Sequence, residues 1–228
     1  MGTQSEIDRL LREGQDGLSE QDLRGALEIF LQALELDPQN SEVHYFLGIT
    51  YARLEDFEKS IAHLQSVLDS ELAYIHKVHT QMVLGYIHTI REDYEKALDL
   101  FQAIVEAGFQ NAQAYAAIGY IMDRRGNFKE AVMNLYRALD LDPHNANAHN
   151  SLGYLYAEAN LNLEEALEEC KKAFAIDQNN PAYLDSLGWV YYKLGKISQA
   201  KSYLKKALKI APENKEIMGH FKVVNESG

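Results

Sequence analysis

A glycine recurs along this chain at nearly constant spacing, and this regularity limits the available folds more than any other feature. It occurs six times, with separations of 34, 37, 34, 34 and 35 residues, at Gly14, Gly48, Gly85, Gly119, Gly153 and Gly188. A small residue follows each glycine after twelve or thirteen positions, namely Ala26, Ser60, Ala97, Ala131, Ala166 and Ala200. Such periods are typical of solenoids, in which each repeat buries its apolar face on its neighbours.

Each repeat predicts two helices, as residues 181–214 illustrate. Pro181 is favoured in a first helical turn, and apolar residues at helical spacing follow it. Gly195 can adopt the left-handed backbone that ends a helix, and Pro212 ends the second helix. A glycine inside a helix costs about 0.5–1 kcal/mol relative to alanine. The recurrence of Gly188 and its equivalents therefore predicts a close approach between two helices.

These residues resemble the tetratricopeptide repeat (TPR). The family features are a Leu-Gly or Ile-Gly pair, the small residue and the closing proline, seen in Leu187-Gly188, Ala200 and Pro212. The resemblance covers six units, 7–40, 41–74, 78–111, 112–145, 146–180 and 181–214. It implies an all-α, right-handed α-solenoid of about six helix-turn-helix repeats. In style, residues 180–196 resemble bacterial TPR scaffold and adaptor proteins.

The domain organisation that follows has three parts. Residues 1–6 form an N-terminal lead-in, residues 7–214 form one solenoid domain, and residues 215–228 form a capping helix. Met218 and Phe221 are expected to face the core from that helix. Three extra residues at 75–77 and one within 160–163 are expected to lengthen a helix or alter a turn.

The first helix of each unit has a second face, which lies nearly opposite the face predicted to form the core. At 100° per residue, unit positions 4, 7, 8 and 11 share one face, and positions 2, 5, 9 and 12 lie nearly opposite. The resemblance implies that the latter face a concave binding groove, where position 9 places four successive aromatic rings. The residues predicted to bind a partner are Tyr45, Ile49, Met82, Tyr86, Tyr120, Asp123, Asn150, Tyr154, Asp185, Trp189 and Tyr192. The alternative is that these rings pack sideways against the next first helix and complete the core.

The function predicted from this surface is a protein-interaction scaffold or adaptor that binds an apolar or aromatic-containing peptide or helix. One alternative is a receptor for a small hydrophobic ligand or lipid held between the rings. Another is self-assembly into a homo-oligomer. Residues 193–228 hold 8 Lys+Arg and 3 Asp+Glu, against 14 and 31 in the rest of the chain. A basic end of one copy would then dock on an acidic surface of another.

Other function classes are disfavoured. A net charge of −12 argues against nucleic acid as a partner. No apolar run reaches the roughly 18 residues of a membrane span. Cys170 occupies a core position, and His76 and His79 lack further ligands at a recognisable spacing. No catalytic residue, metal or cofactor is therefore predicted, and Glu164, Glu165, Glu168 and Glu169 are interpreted as solvated charge.

The compartment is unknown from the sequence. The first residues lack an apolar secretory core, which as they stand indicates a cytoplasmic protein. A periplasmic or lipoprotein-anchored location follows if an N-terminal signal has been removed.

Overall fold

The computed structural model describes residues 2–227, in which it places thirteen α-helices and no strand. Their bounds are α1 Thr3–Ser19, α2 Leu23–Leu36, α3 Ser41–Arg53, α4 Phe57–Leu68, α5 Tyr74–Ile90, α6 Tyr94–Glu106, α7 Ala112–Arg124, α8 Phe128–Leu141, α9 Ala146–Glu158, α10 Leu163–Ile176, α11 Pro181–Lys193, α12 Ile197–Ile210 and α13 Lys215–Glu226. The architecture is an all-α solenoid of helix pairs, as predicted from the repeat. Within residues 2–227, no helix combines the length and the apolar character that crossing a bilayer requires.

The chain divides into two compact units, Met1–Ile104 and Val105–Gly228. The N-terminal unit contains α1–α5 and most of α6, and the C-terminal unit contains α7–α13. Within the C-terminal unit, α9 packs against its pair partner α10 and against the neighbouring first helices α7 and α11. Odd-numbered helices are called first helices below, and each even-numbered helix is the second helix of its pair.

Asparagine starts most of the first helices. A side-chain oxygen at the N-cap accepts a hydrogen bond from a first-turn amide that has no partner inside the helix. The N-cap residues of α3, α7, α9, α11 and α13 that do this are Asn40, Asn111, Asn145, Asn180 and Asn214. The local sequence thereby sets the point at which each first helix begins.

The recurrent glycines allow the two helices of a pair to touch. A Cβ on Gly188 would lie 2.7 Å from Leu204 and 3.2 Å from the carbonyl oxygen of Ala200. A Cβ on Gly153 would lie 2.5 Å from the Sγ of Cys170. Cys170 is fully buried, so the predicted core thiol is confirmed. No side chain fits at these glycines without moving the second helix.

The last helix is buried through a face that includes Phe221, as predicted, but not Met218. Ile217 and Val224 are buried, and Phe221 packs partly against the core. Met218 is 43% exposed, so its predicted core position was wrong. Ile217, Phe221 and Val224 follow the i, i+4, i+7 pattern of one helical face, and Met218 is rotated about 100° from Ile217.

The two irregular repeats keep their helices. The extra residues at 75–77 lie inside α5, which is lengthened to 17 residues. The extra residue near 160 falls in the turn before α10, where Asn160 and Asn162 have φ values of 53° and 44°. Asparagine is one of the few side chains that tolerates this left-handed conformation.

Candidate functional site

All eleven predicted binding residues lie on first helices, and they divide between the two units. Tyr45 and Ile49 on α3 and Met82 and Tyr86 on α5 belong to the N-terminal unit. Tyr120 and Asp123 on α7, Asn150 and Tyr154 on α9, and Asp185, Trp189 and Tyr192 on α11 belong to the C-terminal unit. We call these two sets the N-terminal face and the C-terminal face, and describe each by itself.

On the N-terminal face, Tyr45 is engaged with the next first helix. Its hydroxyl shares a hydrogen bond of 2.7 Å with Nδ1 of His79, and the ring of His76 meets it edge-on at 4.7 Å. Burial raises the pKa of Tyr45 and lowers that of His79. Met82 is buried, while Tyr86 is 38% exposed with its ring against Phe101. This face therefore has one ring in the core and one at the surface.

On the C-terminal face, Trp189 is covered by the last helix. The ring of His220 on α13 stacks on it at 4.2 Å, and Tyr192 lies beside it at 5.1 Å. The indole nitrogen of Trp189 donates a hydrogen bond to Glu158 of α9. Trp189 is 8% exposed. This is the sideways contact with the next first helix that the sequence left open as the alternative.

Asp185 is held by the same histidine. Its Oδ2 accepts a hydrogen bond of 2.8 Å from Nδ1 of His220, whereas its Oδ1 has no hydrogen-bond partner among residues 2–227. Burial raises the pKa of Asp185, the charge of Glu216 raises it further, and His220 opposes both. The Oδ1 of Asn150, at the equivalent position of α9, is also buried without a partner in the described chain. Two polar acceptors on this face are thus left unsatisfied.

Glu216 of α13 reaches back to two earlier first helices. Its Oε1 lies 3.3 Å from the hydroxyl of Tyr154, which donates to it, and 3.3 Å from Nη1 of Arg124. Burial raises the pKa of Tyr154, with further contributions from the charges of Glu158, Glu216 and Asp185. Tyr154 therefore lies among three carboxylates.

Asp123 is half-buried near the same acidic groups. Burial raises the pKa of Asp123, the charges of Glu158 and Glu216 add to this, and Arg124 opposes it. Tyr120, one turn earlier on α7, is 36% exposed, and the guanidinium of Arg124 lies 6.0 Å from its ring centre. The C-terminal face thus combines exposed ring surface with several nearby carboxyl groups.

The contributions of Glu216 and His220 were missed in the sequence. Both lie on α13, which was interpreted only as a cover for the last repeat. The signal was available, because they occupy unit positions 2 and 6 when the repeat numbering is continued from Lys215. A helix that continues the stack carries polar residues on the binding face as well as apolar residues in the core.

The interpretation of Glu169 as a solvated charge was also wrong. It is 8% exposed and accepts hydrogen bonds from Nδ1 of His149 and from Lys172, the latter at 2.6 Å. The other ring nitrogen of His149 donates to the carbonyl oxygen of Pro143 at 3.0 Å. The partner of Glu169 lies 20 residues away on another helix, so local spacing did not reveal it.

Comparison with known proteins places this arrangement in a family. Tetratricopeptide repeat models match residues 17–82, 91–140, 124–160 and 181–214. The chain belongs to the tetratricopeptide repeat family. TPR proteins generally mediate protein–protein interactions and are typically non-catalytic.

Several curated TPR relatives are longer than this chain. BBSome complex member BBS4 of Bos taurus is 24% identical over 205 residues, which are 89% of this chain and 38% of BBS4. Mitochondrial import receptor subunit TOM70 of Homo sapiens is 22% identical over 216 residues, 93% of this chain and 35% of TOM70. TPR repeat-containing protein PA4667 of Pseudomonas aeruginosa is 34% identical over 101 residues, 44% of this chain and 17% of PA4667. The chain spans less than two fifths of the length of these relatives.

Solved TPR structures share the fold at low sequence identity. The Cut9–Hcn1 structure of APC/C superimposes with a TM-score of 0.80 at 15% identity, over 97% of this chain and 44% of that one. Pseudomonas aeruginosa PilF superimposes with a TM-score of 0.74 at 14% identity, over the whole of both chains. YrrB, a TPR protein with an unusual peptide-binding site, has a TM-score of 0.53 at 20% identity, over 85% of this chain and 97% of YrrB.

Proposed function

We propose that this protein is a non-catalytic scaffold or adaptor that binds a segment of another protein on its first-helix faces, above all on the C-terminal face. The observation that carries the proposal is the mixture of ring surface and polar groups there. Tyr120 is 36% exposed, Tyr154 and Tyr192 are half-buried, and the hydroxyl of Tyr154 donates to Glu216. Aromatic side chains that are half buried and half wet are frequent at binding hot spots.

The one cysteine supports a non-catalytic role. Cys170 is enclosed beneath Gly153, and burial raises the pKa of its thiol. The thiolate is the reactive form of cysteine, so a buried thiol with a raised pKa is a poor nucleophile.

One cavity of the N-terminal unit does not support the small-ligand alternative. A cavity of about 250 Å³ lies in the N-terminal unit, lined by Leu68, Leu84, His88 and Asp99 among others. It is smaller than the roughly 300–1,000 Å³ that ligand pockets usually occupy. None of the predicted binding residues lines it. YrrB, which has a similar fold, is itself described as having a peptide-binding site.

Site-specific photo-crosslinking tests the proposal. The photoreactive residue p-benzoylphenylalanine is placed at Tyr120 on the C-terminal face, and separately at Met133, which is 46% exposed on α8. Both proteins are irradiated in native lysate, and circular dichroism verifies that both are helical. We expect a cross-linked protein from Tyr120 and none from Met133.

Equal capture at both positions, or capture at Met133 alone, would contradict the proposal. The partner surface would then lie on the second helices. Mass spectrometry of the Tyr120 adduct identifies the captured segment.

A further inference from the structure

Four successive first helices bring four carboxylates together: Asp123 and Asp185 belong to the C-terminal face, and Glu158 and Glu216 lie beside it. We call these four the carboxylate cluster. Side-chain contacts link them, because Glu216 pairs with Arg124, the neighbour of Asp123, Trp189 on the helix of Asp185 donates to Glu158, and His220 on the helix of Glu216 contacts Asp185. Tyr154 lies among them and donates its hydroxyl hydrogen to Glu216.

The permanent cations nearby are fewer than the carboxylates. Arg124 reaches Glu216 at 3.3 Å and Lys193 reaches Glu158 at 3.8 Å, both through partly exposed side chains, and His220 contacts Asp185. The side chain of Asp185 is only 7% exposed, yet its Oδ1 has no hydrogen-bond partner within residues 2–227. The cluster can therefore accept a further donor that carries positive charge.

Two basic side chains of the protein itself show how a cation fits between a ring and a carboxylate on this surface. The ammonium of Lys193 lies 5.1 Å from the centre of the Trp189 ring and also approaches Glu158. The guanidinium of Arg124 lies 6.0 Å from the Tyr120 ring and also pairs with Glu216. In each case a cation lies against an aromatic face and next to a carboxylate. This combination recognises lysine and arginine through cation–π attraction and charge-assisted hydrogen bonds.

We propose that the C-terminal face selects a partner segment in which a lysine or arginine stands beside an apolar or aromatic residue. The basic head group enters the carboxylate cluster near Asp123 and Tyr154, and the neighbouring residue packs on the exposed ring of Tyr120. This inference rests on the proposed function and names the chemistry of the partner. Negative charge on the face also speeds the approach of a basic segment.

Two matched peptides test this selectivity on the full chain. The first is a fluorescein-labelled nonapeptide, GSKYRYKSG, and the second, GSQYQYQSG, replaces its basic residues with glutamine. Fluorescence anisotropy is recorded at low salt and at about 0.15 M salt. We expect the basic peptide to bind at least about tenfold more tightly at both salt concentrations. Equal affinity for the two peptides, or no binding of either, would overturn the inference.

A pair of charge-matched variants separates the cluster from general attraction to an acidic protein. The double variant Asp123→Asn/Glu158→Gln removes two charges from the cluster, and the control Glu164→Gln/Glu168→Gln removes two from exposed positions of α10. We expect the first to weaken the basic peptide about tenfold and the second to change its affinity less than about twofold. Equal losses in both would overturn the inference.

Two further results would contradict the inference, one from ultracentrifugation and one from cross-linking. If the free chain dimerises in analytical ultracentrifugation and Asp123→Asn/Glu158→Gln abolishes the dimer, the basic occupant is a second copy, and the inference about a separate partner is overturned. If Tyr120 cross-links to a protein segment without lysine or arginine, the scaffold function stands and the inference about basic residues fails.

Discussion

His44 in the N-terminal unit and His149 in the C-terminal unit occupy the same place in their repeats but have different partners. Each is the fourth residue of a first helix, and each donates Nε2–H to the carbonyl oxygen of a preceding proline, Pro38 or Pro143, at 3.0 Å. Nδ1 of His44 lies 2.8 Å from Nδ1 of His63, whereas Nδ1 of His149 contacts Glu169. The helix that supplies the partner is equivalent in both repeats, but its residue is not.

This difference changes the hydrogen bonds that the two rings make. Since His44 donates through Nε2, its Nδ1 accepts the hydrogen of His63. In His149, Nε2 faces the carbonyl oxygen of Pro143 and Nδ1 faces the carboxyl group of Glu169. Burial lowers the pKa of His63, and the electrostatic effect of His44 lowers it further. One helix position therefore holds a pair of histidines in one unit and a histidine–carboxyl pair in the other.

The largest effect should come from breaking the buried contact between His149 and Glu169. Glu169→Ala leaves the buried Nδ1 of His149 without its hydrogen-bond partner, and we expect a loss of about 2–3 kcal/mol in the free energy of unfolding. Urea denaturation measures it. Glu168→Ala on the same helix is the control, and its exposed pair with Lys171 should contribute less than about 1 kcal/mol. Losses of equal size would show that Glu169 acts as a surface residue.

A second comparison concerns the rings on the two faces, since Tyr45 pairs with His79 and Trp189 with His220. We expect His220→Ala to cost about 1–2 kcal/mol, because it removes a stacked ring and the hydrogen bond to Asp185. Trp189 is the only tryptophan, so its fluorescence reports the change directly. The emission should shift to the red as water reaches the indole. His79→Ala is the matched control and should leave the tryptophan spectrum unchanged; a shift of equal size there would contradict the assignment.

A third variant converts the His44–His63 pair into the type formed by His149 and Glu169. His63→Glu places a carboxylate opposite His44, as Glu169 lies opposite His149. A protonated ring at His44 then gains a counter-charge, so we expect this variant to be about 1 kcal/mol more stable than wild type near pH 6. The advantage should disappear near pH 8, where histidine is neutral. Denaturation midpoints at the two pH values measure it, and an advantage independent of pH would refute the explanation.

The smallest effect is the titration of His63 in the wild-type protein. Its pKa in the folded state is lower than the ordinary 6.5, so the unfolded chain binds the proton more readily. The stability that His63 contributes is therefore complete above about pH 6.5 and is lost as the pH falls towards the lowered value. NMR of the histidine ring protons should give a midpoint for His63 below 6.5. A midpoint at or above 6.5 would disprove the explanation that partial burial disfavours the charged ring of His63.

Much of the fold was predictable because it depends on short-range geometry. The contact of Gly188 with Ala200 requires only two helices joined by a short turn, and the sequence shows a glycine and a small residue at these positions in every repeat. The burial of Cys170 beneath Gly153 follows from the same register. The interpretation failed at Met218, where the position of one face had to be extrapolated beyond the last complete repeat.

For the candidate site, the sequence predicted on which side of each helix the residues lie, but not which residues cover them. Helical periodicity places Tyr120, Tyr154 and Trp189 on the same side of their helices, since 3.6 residues per turn fix the angle between side chains. It does not specify what lies above that side. His220 covers Trp189, while Tyr120 keeps more than a third of its surface exposed.

The sequence by itself therefore determined the repeat, the helix pairs, the glycine contacts and the side of each first helix on which the predicted binding residues lie. Only the tertiary structure decided which ring is covered, that Glu216 meets Tyr154 and Arg124, and that Glu169 lies buried against His149. The physical reason is the sequence separation over which each kind of interaction acts. Helix period and capping act over a few residues, whereas these contacts join side chains 20 to 92 positions apart, and their energies depend on burial that exists only after the repeats have stacked.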